Sequence, residues 1–95
     1  MLATYLQERG WPLAIPSQLR QPGRDIHNTP GLSFEVKSTA AVPLLSALRQ
    51  AKRDAGGALP VVVWRPAGYG PAKIGQWVLA MDLEQGLRLL PGYRG

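Results

Sequence analysis

The chain has 95 residues, 45% of them hydrophobic, with three Trp, one His and no Cys; this describes one folded domain over residues 1–95 and excludes a disulfide scaffold, thiol chemistry and zinc sites built from Cys or several His. The net charge of +5 points to a polyanionic partner, nucleic acid first, because the Arg and Lys are scattered and form no amphipathic membrane helix. No apolar run reaches the ~20 residues of a membrane span and no signal-peptide pattern opens the chain, so no membrane association and a cytoplasmic location are expected.

In chain order, residues 1–9 read as a short helix with Leu2, Tyr5, Leu6 and Arg9 on one face. Gly10 ends it and Trp11-Pro12 blocks its continuation. Residues 13–20 are expected to form a first strand with Leu13, Ile15 and Leu19 inward, although Pro16 confines it to an edge or a bulge. Gln21-Pro22-Gly23 turns the chain toward Asp25-Ile26, and residues 32–38 form the next long strand. The clearest helix spans 42–55. Leu44, Leu45, Leu48, Ala51 and Ala55 make its apolar stripe, with Pro43 in the first turn and Gly56-Gly57 as its stop. Residues 59–64, LPVVVW, are a continuous β-branched run, the pattern of a strand covered on both faces. A Gly/Pro-rich loop over 66–75 leads to a strand at 77–81. Asp82 is placed to cap a last helix at 83–90 with Leu83, Leu87 and Leu90 inward, and 91–95 reads as a frayed tail. The strand at 32–38, the crossover helix and LPVVVW make a βαβ unit, which requires those two strands to be parallel.

The stretch 25–37, DIHNTPGLSFEVK, carries an acid, nine residues, then Glu-x-Lys. The period of two along a strand sends Leu32, Phe34 and Val36 to one face and Ser33, Glu35 and Lys37 to the other. Glu35 and Lys37 are then same-face neighbours about 6–7 Å apart. A turn at Asn28-Thr29-Pro30-Gly31 brings Asp25 back beside Glu35. Two carboxylates and an ammonium converging on the exposed face of a central strand are the minimum for holding a divalent metal and acting on a phosphate. The same residues also fit a turn acid and a solvated Glu–Lys pair on an edge strand. A single His27 cannot make an HNH site, and Gly68-Tyr69-Gly70-Pro71 is no phosphate-cradling loop because no Gly-Lys-Ser/Thr helix follows it.

In this order, Tyr5-Leu6, Gly10-Trp11, Arg24-Asp25-Ile26, Pro30-Gly31, Phe34-Glu35-Val36-Lys37-Ser38, the helix with Gln50, residues 60–64 and Trp77-Val78-Leu79 resemble a PD-(D/E)xK nuclease. The resemblance is specifically to the small phage and archaeal Holliday-junction resolvases, and it covers nearly the whole chain. It implies an α/β fold with a small mixed central sheet and flanking helices, the restriction-endonuclease-like αβββαβ core. It implies a Mg²⁺- or Mn²⁺-dependent endonuclease hydrolysing DNA phosphodiester bonds, at branched DNA such as Holliday junctions, in a bacterial or phage-infected cell. Asp25, Glu35 and the Val36 carbonyl are the implied metal ligands. Lys37 is implied to orient the attacking water or neutralise charge on phosphorus, and Gln50 to brace the site. Arg20, Arg24, Arg65 and Lys73 are the expected DNA contacts, the last two at the 66–75 loop.

Resolvases of this type carry an acid in the first helix about one helical length before the Gly-Trp position, a point that here falls before Met1. A shortened form, or an acid such as Glu8 donated by a second copy, is the expected consequence. The alternative is a catalytically weakened DNA-binding relative; a non-enzymatic α/β domain is the third reading. A homodimer is expected because so small a sheet leaves an apolar face near Trp64, Trp77 and Leu79.

Overall fold

The computed structural model describes residues 1–18, 23–41 and 43–95. The elements follow the order α1 (Leu2–Gln7), β1 (Ile15–Pro16), β2 (Ile26–His27), β3 (Leu32–Lys37), α2 (Leu44–Arg53) and β4 (Leu59–Trp64). A 3₁₀ helix (Pro71–Gln76), β5 (Val78–Ala80) and α3 (Leu83–Arg88) complete the chain. This is a mixed α/β fold. A three-stranded sheet in the order β3-β4-β5 stands beside a two-stranded antiparallel pair, β1-β2, and helices flank both. Among the described residues no helix is long and apolar enough to cross a membrane.

β3 and β4 run parallel, joined through α2, with Phe34 beside Val61, Glu35 beside Val62 and Val36 beside Val63. β5 returns antiparallel to β4. The βαβ unit expected from the apolar run LPVVVW is therefore formed. Val61, Val62 and Val63 are all buried, as both-sided cover requires. One face of the sheet presents Phe34, Val61 and Val63 to Ala3 and Leu6 of α1, together with Ala14 and Ile26. The other presents Val62 to Ala47 and Leu48 of α2. Ala47 and Ala51 are both buried one turn apart, and their small side chains let α2 lie close over the strands.

Several expectations fail for identifiable reasons. The 13–20 strand shrinks to Ile15–Pro16, and it is Ala14 that is buried, while Leu13 and Ile15 are exposed. Trp11-Pro12 sets a turn whose Ala14 N–H donates to the Trp11 carbonyl, which reverses the inward parity. Leu19 and Arg20 lie outside the described residues. The apolar stripe of α2 holds at Leu48 and Ala51, and at Ala55 just past the helix, all buried together with Ala47, but fails at Leu44 and Leu45, which are exposed. The 66–75 loop contains most of a 3₁₀ helix. α3 buries none of its residues: Leu83 and Leu87 face outward, as does Leu90 just past its end, and Asp82 caps nothing with its side chain, pairing instead with Lys52 at 2.8 Å.

Candidate functional site

The turn between β2 and β3 is formed by Asn28 in the left-handed region (φ 64°), buried Thr29, and Gly31 (φ 80°), with the Leu32 N–H donating to the Thr29 carbonyl. It returns Asp25 to the outer edge of β3, near enough to Glu35 for its charge to act on that carboxyl. There the Asp25 N–H donates to the Phe34 carbonyl at 3.0 Å, and the Val36 N–H donates to Asp25 Oδ2 at 2.7 Å. The opposite edge of β3 is occupied by β4, where the Gly31 and Lys37 carbonyls accept from Leu59 and Arg65. Alternation along the strand then puts the Val36 carbonyl on the same edge as that of Phe34, the edge that holds Asp25.

Glu35 departs from expectation. It does not sit on an exposed face of a central strand, because β4 is the centre of the three-stranded sheet and the Glu35 face of β3 lies under α2. Ser33, on the same face, donates through Oγ to the Ala51 carbonyl, and Glu35 is 2% exposed. One carboxylate oxygen, Oε1, is 3.1 Å from Lys37 Nζ. The other, Oε2, is buried and finds no hydrogen-bond partner among the described residues. Burial pushes the Glu35 carboxyl above its ordinary value of 4.5. The Lys37 hydrogen bond and charge oppose that rise, and the charges of Asp25 and Asp54 add to it.

Lys37 is held from two sides. Its ammonium pairs with Glu35 and also donates to Gln50 Oε1 of α2 at 3.4 Å. Asp25, Glu35, Lys37 and Gln50 are thus brought together at one end of the β3–α2 contact. Asp54, just past α2, acts on the same carboxyl, and no spacing rule in the sequence marks it. His27 Nε2 is likewise buried with no hydrogen-bond partner among the described residues.

The expected DNA contacts divide. Arg24 is a structural clamp: its guanidinium donates to the Asp54 carbonyl (3.2 Å), the Ala55 carbonyl (2.6 Å) and the Leu32 carbonyl (3.2 Å), tying the C-terminus of α2 to the start of β3. Arg65 is likewise engaged, donating through Nε to the Tyr69 carbonyl at 2.8 Å with its guanidinium 5.4 Å from the Trp77 ring. All three acceptors of the Arg24 guanidinium are thus internal carbonyls, whereas Arg65 gives one donor, Nε, to such a carbonyl. Lys73 is exposed, its ammonium 5.0 Å from the Tyr69 ring. Arg20 lies outside the described residues.

A hard divalent cation needs oxygen donors. The orphaned Glu35 Oε2, the neighbouring Asp25 carboxylate and the Val36 carbonyl edge are of that kind. Among the described residues no cluster of three or more His, Cys, Asp or Glu is found, so a cation here would rely on two carboxylates, a backbone carbonyl and water.

No family model matches the chain, and comparison with curated proteins and solved structures found no match.

Proposed function

We propose that this protein is a metal-dependent endonuclease of the PD-(D/E)xK type, with Asp25 and Glu35 as the carboxylate pair and Lys37 as the positioned cation. The observation that carries the proposal is the state of Glu35. An acid buried under a helix beside a second acid, with one oxygen paired to Lys37 and the other unpartnered, is a costly arrangement for stability alone. A divalent cation shared with Asp25 would satisfy that oxygen and offset the like-charge repulsion. Perturbed carboxyls of this kind concentrate at functional sites.

The residues fit such an ion through Asp25, Glu35 and the Val36 carbonyl, and when bound it would supply Lewis-acid polarisation of a scissile phosphate and an acidified water. The chain's own contribution is placement. Lys37, fixed by Glu35 and Gln50, presents a preorganised positive charge where negative charge develops on phosphorus. The helix–strand–strand–strand–helix–strand order and the parallel β3–β4 pair are compatible with a restriction-endonuclease-like core. The net charge of +5 favours a DNA substrate, and branched DNA such as a Holliday junction is the substrate the sequence resemblance implies.

The test is cleavage of labelled duplex and four-way-junction DNA with Mg²⁺ or Mn²⁺ by the wild-type chain, Glu35→Gln and Lys37→Ala. The proposal expects metal-dependent cleavage by the wild type alone. Cleavage retained by folded Glu35→Gln refutes the site. Retention of DNA without any cleavage by the wild type identifies the weakened DNA-binding relative instead.

A further inference from the structure

α3 is a helix without a buried residue. Leu83 is 77% exposed, Leu87 40% and Leu90 58%, and the adjoining Leu79 of β5 is 60% exposed. These side chains border a shallow groove of about 390 Å³ between α3 and β5. It shares Leu79, Met81 and Leu89 with a second, almost wholly apolar groove of about 340 Å³ on the α1 face of the sheet. A six-residue helix gains too little from its own hydrogen bonds to persist alone, and helices this short depend on burial of an apolar face. Leu83 and Leu87 of α3, with Leu90 just beyond it, have the spacing of such a face, and among the described residues none covers it.

We infer that a second copy of this chain covers the α3–β5 face, giving a two-fold dimer in which Leu83 and Leu87 of the two α3 helices, with Leu90 just beyond each, pack against each other and against Leu79.

Two observations select this occupant. The first is area. At the exposures above, these leucines with Leu89 expose on the order of 600 Å² per chain, close to the ~800 Å² that a standard interface takes from each partner. The second is charge. A two-fold interface must be self-complementary, and α3 carries an acid and a base one turn apart, Glu84 and Arg88, paired at 3.2 Å within the chain. Two α3 helices meeting antiparallel bring Glu84 of each copy toward Arg88 of the other. Each acid here is matched by a base, Asp82 by Lys52 and Glu84 by Arg88, so this rim offers no excess of basic residues of the kind that DNA or an anionic lipid surface calls for. The inference does not depend on the nuclease reading.

Sedimentation velocity over about 1–100 μM protein tests it, since dimerisation follows mass action. The wild-type chain is expected to sediment at twice 10.3 kDa, with Leu87→Glu and Leu83→Glu each weakening association at least about tenfold. These positions are exposed in the single chain, and far-UV circular dichroism checks that each variant remains folded. A charge exchange gives an independent reading: Glu84→Arg and Arg88→Glu should each associate more weakly than wild type alone, and an equimolar mixture should regain association. A wild type that stays monomeric at the highest concentration overturns the inference. So does a dimer that the leucine variants leave intact, or a charge mixture that associates no better than its components.

Discussion

Replacing Arg24 by Ala is expected to cost stability rather than DNA affinity, and the structure allows the size to be worked out. The guanidinium makes three hydrogen bonds to carbonyls, at 2.6, 3.2 and 3.2 Å. The short bond to Ala55 has the geometry of a strong charge-assisted bond, which contributes about 1.5–3 kcal/mol, whereas the longer two fall nearer the ordinary net value of about 1 kcal/mol. Two of the three acceptors, Asp54 and Ala55, lie at the C-terminal end of α2, where a cation gains about 0.3–1 kcal/mol from the helix dipole. Arg24 is half-buried, so water recovers part of this when the side chain is removed. The net loss is expected to be about 2–4 kcal/mol, which for a chain of 95 residues lowers the melting temperature by roughly 10–25 °C. Urea unfolding followed by Trp fluorescence measures it. Arg24→Lys, which keeps the charge but not the planar fork, should fall in between. A loss below about 0.5 kcal/mol for Arg24→Ala, a value typical of surface changes, would refute the clamp.

Glu35→Gln should be more stable than the wild type at pH 7. An unfolded Glu titrates near 4.5 and the folded carboxyl, chiefly through burial, titrates higher; folding therefore takes up a proton between those two values, and ionised Glu35 costs stability increasingly across that window. The advantage of Glu35→Gln should shrink as pH falls toward 4.5, and denaturation curves from pH 4 to pH 7 that stay parallel would contradict it. Asp25→Ala leaves the Val36 N–H without its 2.7 Å acceptor and should cost about 1–3 kcal/mol, whereas Asp25→Asn, which keeps an acceptor, should unfold at nearly the wild-type denaturant concentration. On the nuclease reading, Lys73→Ala should reduce the salt dependence of DNA retention by about one unit of log–log slope, read by filter binding at several salt concentrations.

What the sequence reveals most readily is β4 and its partner. Leu59–Trp64 is continuous and β-branched, α2 is bounded by Gly56 and Gly57 at φ 54° and 96°, and the crossover rule leaves only a parallel pairing with β3. The gathering of Asp25, Glu35, Lys37 and Gln50 was readable too, because strand alternation and one turn suffice to bring the first three together. The burial of Glu35 was not. Alternation assigns Ser33, Glu35 and Lys37 to one face but does not say whether a helix covers it. Here Ala47 and Ala51 let α2 close over that face, and Ser33 bonds to the helix backbone. Arg24 could not be told from a DNA-contacting arginine, because two of its three carbonyl partners lie 30 and 31 residues away in the chain, which no local pattern marks. The leucines of α3 carry an inward-facing spacing that the single chain does not use.

The central claim, that Asp25 and Glu35 together hold a divalent cation, is tested most directly by counting Mn²⁺ ions bound per chain by electron paramagnetic resonance. The wild type is expected to bind one Mn²⁺ that Mg²⁺ displaces, with binding lost in Glu35→Gln and in Asp25→Asn while both variants remain folded. A wild type that binds no Mn²⁺, or a Glu35→Gln chain that binds it as tightly as the wild type, would contradict the account.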